Sequence, residues 1–250
     1  IIKDIMKAHI MTPIAGLGLS LLSLNADDVE VTADITTDTT WTADNAYLLG
    51  KPIFVKEGAT LTIQPGTTIY GYEDLGADTS GSLVITRGSK IMPEGLPSAP
   101  IVFTALDERD GNLTLEDSGL WGGLIILGRA ILNTPDNPII NPGNPVIGTF
   151  DVEGFPAGST DDITYGGDND EDNSGVLRYV SIRFGGYEFQ PDEEINGLTL
   201  GAVGSGTTIE YVEVFNNQDD GVEFFGGTVS PKDLVMAFNE DESFDWDQGY

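Results

Sequence analysis

The 250-residue chain carries 41 Asp and Glu against 11 Lys and Arg, a formal charge of −30, with 40% hydrophobic residues, 32 Gly and no Cys. That balance excludes nucleic-acid binding, which needs cations against phosphates, and docking on anionic membrane surfaces. It leaves a Gly-rich chain able to bury one large core or two smaller ones without any disulfide.

The first segment has the order of a secretory signal. Met6 is followed by Lys7 and His9, then by the apolar run from Ile10 to Leu24, then by Ala26 ahead of acidic residues. The run is short for a membrane span and its far flank is acidic, so residues 1–26 are expected to be a cleaved signal peptide, with no membrane insertion afterwards and a secreted or cell-surface location. The segment holds two Lys, one Asp and the only His, so its removal moves the charge to −31 and leaves neither His nor Cys. Ser-His-Asp and Cys-His nucleophiles are thereby excluded, as are the usual zinc and copper sites. Cohesion must come from the core, from hydrogen-bonded ladders, or from hard cations.

Residues 27–46, rich in Thr and Asp, read as a leading strand or cap. From residue 47 onward, short runs of Val, Ile, Thr, Phe and Tyr alternate with Gly, Pro, Asn and Asp, the pattern of an all-β chain. The runs repeat. The stretch from Val55, VKEGATLTIQPG, matches the one from Ile85, ITRGSKIMPEG, at an offset of 30 residues. Further on, the strings from Leu177, Ile209 and Lys232 align, placing Val180, Val212 and Val235 in one column, and Ile182, Val214 and Ala237 in the next. Leu198, Val222 and Phe244 then form a column, as do Leu200, Phe224 and Trp246, and Asn216 and Asn239 share a corner. Repeats of this length without helices predict a parallel β-helix over residues 47–250, with one strand per sheet in each coil and matching side chains stacked about 4.8 Å apart. A β-sandwich, the rival, would show more hairpin signals.

The strings VKEGATLTIQPGTTIYG, GLWGGLIILGRAILN and DNSGVLRYVSIRFGG resemble a family of large secreted right-handed parallel β-helix proteins of Gram-negative bacteria, over roughly residues 41–250. The resemblance implies that fold and export. It implies no activity and no catalytic residue. The sequence stops inside a coil, at FDWDQGY, which reads as a β-helix cut short at its C-terminal end.

Two acidic constellations are candidates for chemistry. In Gly166 to Gly175, Asp168, Asp170 and Asp172 alternate as calcium-binding loops do, although the EF-hand glycine and twelfth-position Glu are missing. They are either calcium ligands or a solvated acidic loop. The second constellation is Asp219, Asp220 and Glu223, echoed one coil later by Asp241, Glu242, Asp245 and Asp247. Stacked like charges are destabilising, so these groups splay into water, share a cation, or keep their protons. Calcium held by Asp241, Asp245 and Asp247 is one reading, and a paired-carboxylate glycosidase using Asp219, Asp220 and Glu223 is another. A lyase would need a basic residue, and Arg178 and Arg183 read better as ion-pair partners of the acidic surface. Phe215, Phe238 and Phe225 are expected to face outward, with Trp41 and Trp121 partly exposed, as ring faces for neutral sugars or as packing beneath a loop. Taken together, the residues favour a structural or binding module engaging glycans or extracellular matrix, with calcium as a stabiliser. The rival is a polysaccharide hydrolase or lyase. Oligomeric state is not legible.

Overall fold

A computed structural model describes residues 26–75, 79–133, 148–155, 160–190 and 193–250. Residues 1–25 of the expected signal segment lie outside them. The chain winds as a right-handed parallel β-helix with three faces. The first face stacks Asp27–Glu30, Asn45–Leu49, Thr68–Gly71, Ile101–Ala105, Val176–Arg183, Thr208–Phe215 and Lys232–Ala237. The second stacks Pro52–Val55, Ser82–Ile85, Gly123–Leu127, Leu198–Val203, Val222–Gly227 and Phe244–Asp247. The third begins with Thr39–Trp41, Thr60–Ile63 and Lys90–Pro93. It continues through the leading halves of the long first-face strands, as the bridges Ile91 to Gly175 and Glu94 to Arg178 record. Residues 27–46 are thus wound into the first coil. The only helical pieces among the described residues are short 3-10 turns, and no helix there is long and apolar enough to cross a membrane.

Side chains alternate along each strand, so every second residue enters the coil and meets its counterparts above and below. One inward column of the second face is Ile53, Leu83, Leu124, Leu198, Val222 and Phe244, and another is Val55, Ile85, Ile126, Leu200, Phe224 and Trp246. Most of these are fully buried, which removes on the order of 2 kcal/mol worth of apolar surface from water per side chain.

The corners are set by residues in the left-handed region. Tyr179, Tyr211 and Asp233 have φ of 47°, 57° and 55° and stack where the third face turns into the first. Phe184, Asn216 and Phe238, at 57°, 58° and 61°, stack where the first turns into the second. Such conformations are costly for bulky residues, and their recurrence at one height in successive coils shows that corner geometry is held by the stack.

The stacking corrects one predicted register. Val212 pairs with Leu234 and Val214 with Met236, whereas Val235 sits outside, opposite Glu213, and is 55% exposed. The run from Leu234 to Ala237 is apolar throughout, so its alternation does not declare a phase, and the bend at Asp233 decides it. The corner partners move with it. Asn217 N–H donates to Asn239 Oδ1 at 3.2 Å, so Asn217, not Asn216, shares the corner with Asn239.

The aromatic expectations also change. Trp121 is fully buried, with Nε1–H donating to the Arg183 carbonyl at 2.7 Å. It packs where Gly71 leaves room, since a Cβ there would lie 2.5 Å from the indole. Trp41 is buried against Tyr47, with ring centroids 4.5 Å apart. Phe225 does leave the coil interior, but a segment crossing the outside of the second face covers it. Val152, Ile163 and Tyr165 pack there against Val84, Ile125, Leu127 and Phe225, with the Tyr165 and Phe225 rings 5.8 Å apart. A sheet covered on both sides explains why all of Gly123–Leu127 is buried.

Candidate functional site

The acidic constellation lies at the corner between first and second faces. After Phe215 the chain bends at Asn216, runs through Asp219 and Asp220, and re-enters the second face at Val222. One coil later, residues 238–243 repeat the path. Backbone bonds tie the two levels: Glu240 N–H to the Asn217 carbonyl at 3.0 Å and Gly221 N–H to the Glu242 carbonyl at 2.9 Å. Glu242 N–H also donates to Asp220 Oδ1 at 2.9 Å.

This brings together carboxylates that are remote in sequence. Asp219, Asp220 and Asp241 each place an oxygen within 4.8 Å of the others, as do Asp220, Glu223 and Asp245. Glu223 and Asp245 are direct neighbours across the sheet. Asp220 and Glu223 are buried, and among the described residues no Lys or Arg forms an ion pair with Asp220, Glu223, Asp241 or Asp245. Burial is the main cause that pushes the Asp220 carboxyl up to about 7, helped by the charge of Asp219 and opposed by the Glu242 N–H. Burial also drives Glu223 far above the carboxylate range, with the charge of Glu153 next and the Asn196 amide opposing. Glu242 is raised by its hydrogen bond to Asp241.

Three participants carry no signal in the sequence. Asn196 Nδ2 donates to Glu223 at 2.6 Å and to Glu153 at 3.0 Å, linking the covering segment to the strand. Thr199 is the strand partner of Glu223. Thr199 Oγ1 and Asn196 Oδ1 are buried and have no hydrogen-bond partner.

The other predicted residues are placed differently. Asp168, Asp170 and Asp172 belong to neither carboxylate group. Their loop fills a corner instead. Asp170 Oδ1 accepts from Ile131 N–H at 2.9 Å, its carbonyl accepts from Ser205 N–H at 2.8 Å, and buried Asp172 accepts from the Ser174 hydroxyl at 3.2 Å. Asp168 is exposed, and Asp247, outside both groups, accepts from Gln248 N–H at 2.6 Å.

Phe215 and Phe238 remain available on the outside. Phe215 is half-buried and Phe238 is 60% exposed, their rings meeting edge-to-face at 5.5 Å. Phe215 lines a groove of about 250 Å³ with Glu108, Arg183 and Glu213. Arg183 is fixed there by Glu108 at 3.1 Å, by Glu213 at 3.7 Å and by the Ser181 hydroxyl, which accepts from Nε at 2.7 Å. Arg178 pairs with Glu210 at 3.1 Å and Glu94 at 3.4 Å, so both arginines are ion-pair partners, with glutamates of the coil and not with the acidic corner.

No curated protein and no solved structure matches the chain. One family does: its description is a pectate-lyase-like β-helix domain, the match runs over residues 33–250, and the chain belongs to that family.

Proposed function

We propose that the protein is an exported carbohydrate-binding β-helix module that holds a saccharide against Phe215 and Phe238 and takes calcium at the acidic corner. The observation that carries this reading is the groove in which an aromatic face stands beside three planar charged groups. The ring offers apolar contact to the C–H side of a sugar, and the carboxylates and guanidinium offer paired acceptors and donors to its hydroxyls. The ion pairs around Arg183 fix these groups before any ligand arrives, which lowers the cost of ordering them on binding. Membership of a pectate-lyase-like family fits a carbohydrate-related role and is equally compatible with binding and with turnover.

Calcium wants several oxygen ligands from carboxylates, carbonyls and hydroxyls. Two carboxylate trios sharing Asp220, with two unpartnered buried oxygens beside Glu223, are a donor set of that chemistry. The test of the main reading is calorimetric titration with neutral and acidic polysaccharides. Phe238→Ala is expected to weaken binding about tenfold, the scale of one aromatic contact. Unchanged affinity in that variant removes the reading. Export is checked by sequencing the mature N-terminus, which should begin at Asp27.

One observation favours a second reading. Asp220, whose carboxyl burial pushes up to about 7, lies with its oxygen within 4.8 Å of Asp219, the close carboxylate pairing a glycosidase acid requires. Release of reducing ends that disappears in both Asp219→Asn and Asp220→Asn would establish turnover. A binding module keeps its affinity in both.

A further inference from the structure

One tyrosine–tyrosine ring pair occurs among the described residues, that of Tyr179 and Tyr211 on neighbouring coils. The ring centroids lie 4.6 Å apart and the planes are within 1° of parallel. We propose that this pair is an oxidation site, at which hydrogen peroxide acting through a haem peroxidase joins the two rings into a dityrosine that staples one coil to the next. The site is apart from the Phe215 groove and the acidic corner and stands without either.

The fold brings these rings together and leaves them reachable. Their flanking residues pair in register, Arg178 with Glu210 and Val180 with Val212, which sets the two tyrosines about 4.8 Å apart along the stack. Both take the same left-handed backbone, φ 47° and 57°, so both side chains leave the corner in one direction. Tyr211 is 46% exposed and Tyr179 is half-buried. Such placement turns the meeting of two radicals into a step within one molecule. Two phenols joined by a single ring-to-ring bond have centroids at nearly this separation. Coupling therefore asks for a tilt of the exposed ring and leaves the coils where they are. Other tyrosines face different rings: Tyr47 meets Trp41, Tyr165 meets Phe225, and Tyr250 meets Phe224. The chain has no Cys to be oxidised in their place and none to cross-link its coils.

The chemistry balances. Each phenol gives one electron and one proton to the oxidant, leaving two phenoxyl radicals, and one peroxide is reduced to two waters. The unpaired electron of each radical is shared with the ring carbons that flank the oxygen. One such carbon from each ring forms the new C–C bond. The hydrogen on each of those carbons then leaves as a proton, each oxygen takes one up, and both rings return to phenols. Asp233, next in the corner stack, hydrogen-bonds the Tyr211 hydroxyl, and its charge is the main cause that raises that phenol above its ordinary value. The phenol thus holds its proton at rest, and the carboxylate stands ready to accept it as the electron departs. The product closes a loop in the unfolded chain, as a disulfide would, and so favours the folded coil.

The experiment treats the dilute, intact protein with a haem peroxidase and hydrogen peroxide. Dityrosine fluorescence should appear, with an intact mass lower by two hydrogen atoms and a melting midpoint raised over that of the untreated protein. Trypsin cuts after Arg178 and Arg183, so peptide mapping should find the short Tyr179 peptide joined to the one that carries Tyr211. Tyr211→Phe keeps the ring and should lose the fluorescence, the mass change and the rise in melting together. Tyr179→Phe should do the same, and the exposed Tyr211→Phe carries the test alone if Tyr179→Phe does not fold. Tyr187→Phe should keep all three signals. The inference is overturned if no dityrosine forms, if the link joins two copies of the chain or a different pair of tyrosines, or if a folded Phe variant at 179 or 211 couples like the parent.

Discussion

On the outside of the coil, Glu94, Arg178, Glu210 and Lys232 stand in one column and alternate in sign from level to level. At the corner between first and second faces, Asp219, Asp220, Glu223, Asp241 and Asp245 gather with a single sign. Both regions obey the same rule, that residues at equal heights in successive coils lie about 4.8 Å apart. Stacking amplifies whatever charge pattern the repeat supplies. Alternation yields modest mutual stabilisation, about 0.2–1 kcal/mol per exposed pair. Repetition of one sign yields repulsion that protons, water or a cation must relieve. The two regions thus separate charge that alternates along a column from charge of one sign gathered at a corner.

The largest expected effect comes from relieving the repulsion. Calcium at ~100 times its dissociation constant should raise stability by about 2.7 kcal/mol, read as a higher melting midpoint that a chelator abolishes. Asp241→Asn should lose the gain; an identical midpoint with calcium and with chelator removes the cation from the account. Next comes breaking the alternation. Arg178→Glu removes both ion pairs of its column and sets three acids in a row, which should cost on the order of 1–2 kcal/mol at low salt and less as salt screens the charges.

A smaller effect tests the proton on Asp220. Its folded carboxyl titrates near 7, above its ordinary value of 3.8, so the folded state holds the proton that the unfolded chain gives up. Stability therefore falls as pH rises from about 4 towards 7, and Asp220→Asn removes that slope. The variant should gain on the order of 1 kcal/mol at pH 8 in the absence of divalent ions, after allowance for solvent screening, and nothing at pH 3. The smallest effect is that of Phe238→Ala on stability. The ring is mostly exposed, so melting should move by no more than about 0.5 kcal/mol while sugar affinity drops.

The winding was legible because the columns through Val180 and Val212, and through Leu198, Val222 and Phe244, alternate cleanly with polar residues. The level above was misaligned by one because Leu234, Val235, Met236 and Ala237 offer no polar partner to mark which side faces in. The acidic corner was visible in outline, since Asp219 and Asp241 sit in repeated turns. Its deeper parts were not. Glu153 lies far upstream on a covering segment outside the repeat, and its meeting with Glu223 depends on how that segment crosses the second face. The same crossing buries Phe225, whose alternation alone had placed it in solvent. Conversely, the Asp-rich stretch drew attention by composition, yet Asp170 and Asp172 are engaged by neighbouring backbone and hydroxyl groups.

The left-handed bends at Tyr179, Tyr211 and Asp233, and at Phe184, Asn216 and Phe238, make each turn of the solenoid a self-describing cassette. Between Tyr211 and Asp233, as between Asn216 and Phe238, the interval is 22 residues. A gene duplication or deletion of that length would elongate or shorten the molecule by one whole storey while returning every later side chain to the same orientation. Lineages carrying this architecture have a route to vary their reach without redesigning their interior.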